Sequence, residues 1–391
     1  MKFQLNNIVG AVFLPVSLFI IGLGKLWYVG KVPKSPSLDE LNLLQNCGLH
    51  LSTSDFSYRI LAVVLAALVP VLLYLVMKKY CKDQLAAYII SVVTTVSPWF
   101  TALSLTLNPF LLVVTLILGI YVLPLSPLFQ FMASALVLLS PAFTGHTISF
   151  APPLESITNI LRSIDLKTLF ITGDFNSTFL RIPKTGFFML IDVVFLVWGS
   201  WTVGKNRRGI LPVVSLLALG ILQIVFFSNT LPAFRSTLLL LSLSIMIGFG
   251  YYSLLMKAKH NILFLLILVV TMINFFYYQN LLVAHFDKKN SGDWTYAEMQ
   301  IVEYLKAMPA VHRLVLGPHE ETVKTVVGYY LPTLKITTVE TVQLAKECAA
   351  PHTFCVIKGE HLKGLNMREE ETKNMFNVYS GLTLYYGLKT E

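Results

Sequence analysis

Long apolar runs recur along this chain and leave it little freedom in what it can fold into. They fall at 7–29, 58–77, 84–104, 106–123, 127–142, 185–204, 210–228, 236–256 and 261–282, each bounded by charge, proline or glycine. A bilayer core about 30 Å thick takes roughly 20 helical residues to cross, so these runs predict about nine membrane-spanning helices. Those between 84 and 142 are short and interrupted by Pro98, Pro109, Pro124 and Pro127. A soluble globule is excluded by the residue balance: 55% of the 391 residues are hydrophobic, 13% are charged, and the mean hydropathy is +0.67. The first run exceeds the apolar core of a signal peptide, and no small-x-small cleavage site follows it before Lys31, which predicts a retained anchor.

Charge sets the expected orientation. Basic clusters follow the second run (Lys78, Lys79, Lys82), the sixth (Lys205, Arg207, Arg208) and the eighth (Lys257, Lys259). With the N-terminus inside and alternating spans, all three face the cytoplasm, as the positive-inside rule requires. The net charge of +9 therefore reports topology and not nucleic-acid binding. The same orientation places the loop at 30–57, a turn near Trp99 to Asn108, the long loop at 143–184 and the short loop Ser228 to Arg235 on the outer face.

From about residue 284 the apolar runs shorten and charge rises. Helix-like Tyr296 to Met308, Glu320 to Tyr330 and Val342 to Cys348 alternate with strand-like Arg313 to Gly317, Lys335 to Val339 and Thr353 to Lys358. The expected organisation is a mainly α, polytopic membrane domain over 1–283 and a small α/β domain over 284–391 on the outer face. Cys348 and Cys355 are close enough to form a disulfide or to stay as two buried thiols. No CxxC, HExxH, phosphate-loop or GxSxG pattern occurs, so neither a nucleotide-dependent reaction nor a resident metal is indicated.

Chemistry-bearing residues are few. Ser37-Leu38-Asp39-Glu40, just after the first run, fits a capping box in which Ser37 and Glu40 satisfy each other's backbone N–H groups. Helix capping and a reactive carboxylate are both open readings, Asp39 being the better candidate because Glu40 is used by the box. Leu38, Leu41, Leu44, Gly48 and Leu51 then lie on one face, the pattern of an interfacial helix. Arg235, at the outer start of the eighth run, either snorkels to headgroups or clamps a phosphate with its planar fork; Arg59 has the same two readings. His146 is a lone loop histidine, and Asp174 sits in the turn Gly173-Asp174-Phe175-Asn176. Asp192, inside the sixth run, requires a partner facing the bundle interior.

Several of these stretches together resemble the GT-C membrane glycosyltransferases, in particular the bacterial family-39-like group related to protein O-mannosyl and aminoarabinose transferases. The resemblance rests on the Asp39-Glu40 pair after the first span, Phe56-Ser57-Tyr58-Arg59-Ile60-Leu61, Ser97-Pro98-Trp99, Asp165-Leu166 through Asn176, Leu231-Pro232-Ala233-Phe234-Arg235-Ser236 and Ser291-Gly292-Asp293-Trp294-Thr295-Tyr296. It implies a GT-C-like fold and transfer of a sugar from a polyprenyl-phosphate donor to an envelope acceptor. By that resemblance Asp39 would be the base beside Glu40, and Arg235 would meet the donor phosphate; Arg59, His146 and Asp174 are candidate substrate contacts on the reading of the residues alone, beside the plainer readings of a snorkelling arginine, a loop histidine and a turn. The chain departs from the family where Leu51 runs almost directly into Asp55 and Arg59, and where Asn108 stands in place of a second acid. These departures leave open a second reading, a carrier-binding or assembly protein without turnover.

Overall fold

The computed structural model describes residues 12–29, 36–37, 40–41, 44–45, 58–106, 108–140, 152–173, 186–205, 209–227, 235–257, 261–290, 295–308, 310–318, 320–348, 350–358, 374–377 and 383–389. The chain divides into two compact units, Met1–Val29 with Ser57–His285, and Gly30–Phe56 with Phe286–Glu391. The first is helical throughout its described residues; the second is α/β.

The helices of the first unit are α1 (Leu14–Leu23, continuing as a 3-10 turn to Tyr28), α2 (Tyr58–Cys81), α3 (Gln84–Val96), α4 (Pro98–Ser104), α5 (Pro109–Val122), α6 (Pro127–Leu139), α7 (Pro153–Ile164), α8 (Asp192–Lys205), α9 (Ile210–Phe226), α10 (Thr237–Lys257) and α11 (Asn261–Asn290). Proline and capping residues set the boundaries. Pro98 cannot donate and holds Ser97 extended, so the run expected as one span over 84–104 breaks there and bends by 65°. Asn108 caps α5 through Phe110 N, and Ser126 caps α6 through Phe129 N, each with proline in the first turn.

Among the described residues, α2 and α10 are long and apolar enough to cross a membrane alone, and up to four spans result if the bent pairs α3/α4 and α8/α9 each count as one. The expected nine is not reached by helix length. Leu14–Tyr28, Pro109–Val122, Pro127–Leu139 and Val269–Val283 are shorter apolar pieces.

α10 is the hub of this unit. It is buried on nearly every side and packs against α3, α8 and α9. Glycines permit the closest approaches: a Cβ at Gly250 would lie 2.0 Å from Phe195 O, one at Gly199 1.7 Å from Met246 O, and one at Gly248 2.6 Å from Ile90 Cα. Small residues serve helix association in lipid in this way, because dispersion replaces the hydrophobic drive.

The second unit is a mixed five-stranded sheet, order β2-β1-β3-β5-β4, from β1 (Arg313–Leu316), β2 (Lys335–Thr338), β3 (Thr353–Lys358), β4 (Asn374–Asn377) and β5 (Thr383–Lys389). β1 pairs in parallel with β2 and β3, while β5 runs antiparallel to β3 and β4. α12 (Tyr296–Lys306) precedes β1, α13 (Glu321–Tyr330) joins β1 to β2, and α14 (Thr341–Cys348) joins β2 to β3. Cys348 and Cys355 are bonded, pinning α14 to β3 beside Val315 and Ile357. The six sequence-read elements from Tyr296 to Lys358 are present within two residues of their expected ends; β4 and β5 were not anticipated.

Candidate functional site

In the α/β unit, Ser37 N donates to Glu40 Oε2 at 3.0 Å and Glu40 N donates to Ser37 Oγ at 3.1 Å, a complete reciprocal capping box. The turn is anchored from far along the chain: Thr295 donates to Pro36 O through both its N–H (3.1 Å) and its hydroxyl (2.7 Å). Glu40 is buried, so its carboxylate serves the helix start. Leu41 and Leu44 are buried as well, against the interfacial reading of their face; Leu38, Gly48 and Leu51 lie outside the described residues. Asp39, the anticipated base, lies outside the described residues, as do His146 and Asp174.

In the helical unit, Arg235 is 7% exposed and donates from Nη2 to Asn159 Oδ1 at 3.0 Å. Beside it, Ser163 and Ser236 hydroxyls are 3.1 Å apart, and Asn159 Nδ2 is buried with no hydrogen-bond acceptor. Arg235, Asn159, Ser163 and Ser236 thus form a buried patch rich in donors, with no acidic member among the described residues. Arg59 is fully buried at the start of α2, its guanidinium 5.6 Å from the centre of the Tyr58 ring.

α7 brings Asn159 and Ser163 to Arg235 in an arrangement that reverses a soluble helix. Its polar residues Ser156, Asn159 and Ser163 are buried, whereas Leu154, Ile157, Leu161 and Ile164 are exposed, Leu154 at 78%. An apolar face turned outward is the pattern of a helix that lies against lipid. The sequence carried this signal as a 3.6-residue period in 153–164, but the segment was read as loop.

The break at Ser97-Pro98 is stitched from four directions. Trp99 N donates to Phe187 O at 3.0 Å, Trp99 Nε1 to Ser244 Oγ at 2.9 Å, and Tyr278 to Pro98 O at 3.1 Å. Lys25, 6% exposed, reaches Phe100 O at 3.5 Å and lies 4.1 Å from the Phe100 ring centre. Asp192 has the interior partners it required: it accepts from Met189 N and Tyr251 Oη, each at 3.0 Å.

A second polar cluster occupies the carboxyl ends of β1 and β3, where α13 begins. There Lys358 is 3.8 Å from buried Glu320, and Tyr385 donates to Glu298 Oε1 at 2.7 Å. Burial raises the Glu298 carboxyl above its ordinary value, against the lowering effects of the Tyr385 hydrogen bond and Lys358. Tyr385 is raised by burial and then by Glu298. Among the described residues, no three His, Cys, Asp or Glu side chains are arranged to hold a metal ion. The chain matches no protein-family model, no curated protein and no solved structure.

Proposed function

We propose that this chain is a GT-C-type membrane glycosyltransferase that moves a sugar from a polyprenyl-phosphate donor to an envelope acceptor on the outer face. The observation that carries the reading is the Arg235 patch. A guanidinium, an amide with an unused donor and two hydroxyls, none acidic, suit a phosphate oxygen, and α7 keeps them beside lipid.

In the reaction, the acceptor hydroxyl oxygen attacks the anomeric carbon and its proton passes to Asp39. The bond between that carbon and the phosphate oxygen breaks, and polyprenyl phosphate leaves with the bonding electrons. The capping box at Ser37 and Glu40 would fix the backbone from which Asp39 projects.

Orientation draws support from two features. Tyr252 donates to Asp83, so the basic turn of Lys78, Lys79 and Lys82 lies at the end of α10 that carries Lys257, and Lys257 in turn sits 4.8 Å from the ring of Trp198 on α8. One basic end of the bundle suits the cytoplasmic face. The Cys348–Cys355 disulfide suits an oxidising compartment for the α/β unit.

A second reading is a carrier-binding protein without turnover. It is favoured by Asn108, which stands where a second acid is expected and spends its Oδ1 capping α5. Incubating the protein in nanodiscs with radiolabelled polyprenyl-phosphate sugars separates the two readings. Release of sugar that vanishes in Asp39→Asn supports transfer. Arg235-dependent binding without release supports the carrier binder, and release unchanged in Asp39→Asn removes Asp39 from the mechanism.

A further inference from the structure

The helical unit has a partly open cavity of about 240 Å³ between α3, α8, α10 and α11, apart from the Arg235 patch. One wall is a stripe of α3 from Tyr88 to Ser97, including Ile89, Val92, Val93 and Val96. At 1.5 Å per residue that stripe is about 14 Å long. Facing it are Leu255 and Tyr251 of α10 and Thr271 of α11. The walls are mainly apolar, and Asp192 is their one ionisable carboxyl.

Asp192 is 5% exposed and, besides its bonds to Met189 N and Tyr251 Oη, no Lys, Arg or His among the described residues pairs with it. Tyr251 Oη lies 3.4 Å from Thr271 Oγ1, so two hydroxyls line the cavity next to the carboxyl. The group is held firmly. Phe195 stacks on Tyr251 with ring centres 3.6 Å apart, and Gly199 and Gly250 let α8 and α10 meet backbone to backbone. A carboxyl in an apolar wall without a basic partner favours a hydrogen-bond donor or a cation and disfavours a second anion.

We propose that this cavity binds an amphiphile with one long apolar chain and a donor head without negative charge, a long-chain alcohol or a long-chain amine. The chain lies along the α3 stripe and the head meets Asp192 and Tyr251. A carboxyl without a basic partner disfavours a phosphate head, which separates this ligand from a phosphate-headed carrier, so the site is independent of the transfer reaction proposed for Asp39 and Arg235.

The test uses the full-length protein in nanodiscs, photolabelled by a diazirine-bearing long-chain amine and by the matching alcohol. Label is expected on residues 88–97, and dodecylamine or dodecanol competes roughly tenfold better than dodecyl phosphate, the discrimination a charge-assisted contact gives. Val92→Trp, which fills the cavity from α3, removes the label. Asp192→Asn reduces labelling by the amine alone if the head is ammonium, and by both probes if it is hydroxyl; either result supports the site. Label that survives both substitutions, label elsewhere on the chain, or equal competition by dodecyl phosphate overturns it. Because the two variants sit on different helices, misfolding of one leaves the other to decide.

Discussion

At Glu298, a single proton links the α/β unit to pH. Burial raises this carboxyl, so between its unfolded value of about 4.3 and the higher folded value the native state holds more protons than the unfolded chain. Stability contributed by the protonated group is therefore full below that window and is lost as pH rises through it. Thermal midpoints of the full-length protein are expected to fall from pH 4 to pH 7 by this contribution, and Glu298→Gln, which keeps an acceptor for Tyr385, flattens that part of the slope. An unchanged slope in the variant would show that other groups carry it. At the capping box, Ser37→Ala is expected to cost about 1 kcal/mol, read as a lower thermal midpoint. The box was legible because both partners lie within four residues. The pairing of Arg235 with Asn159 was not, since the partners are separated by 76 positions and no local pattern joins them.

Among the elements, close backbone contacts decide which changes are tolerated least. Gly250→Ala would drive a methyl to 2.0 Å from Phe195 O, and α8 must move away from α10. We expect a loss of about 1–3 kcal/mol, the usual cost of overpacking, seen as a lowered melting temperature in detergent. Gly204, with nothing within 4 Å of an added Cβ, is the matched control, and Gly204→Ala is expected to leave the midpoint unchanged. Most apolar runs were legible as helices because their composition permits little else, and proline placed many of their ends. The 65° break at Ser97 was hidden inside a continuous apolar run, since Pro98 alone signals a kink or a stop without choosing between them. Strands β4 and β5 were missed because Asn374–Asn377 is short and Thr383–Lys389 earns its place by antiparallel pairing with β3, a tertiary partner that propensity does not foresee.

For the whole molecule, thiols report both redox state and sidedness. In intact cells a membrane-impermeant maleimide is expected to reach Cys348 and Cys355 only after a reductant, and Cys81, at the basic end of α2, only after permeabilisation, with Cys47→Ser as background. Labelling of Cys81 in unpermeabilised cells would invert the proposed orientation. Reduction is also expected to lower the stability of the α/β unit by about 2–3 kcal/mol on the chain-entropy estimate for so short a loop. The burial of α10 has a consequence for biogenesis. A helix that carries Ser242, Ser244 and Ser253 and is buried on nearly every side gains less from partitioning alone than α2 does, and the hydroxyls of Ser244 and Ser253 accept from Trp99 and Trp198 of helices made earlier in the chain. During synthesis the helices that precede α10 are then the surface that receives it, and translation from N- to C-terminus becomes part of how this helical unit assembles.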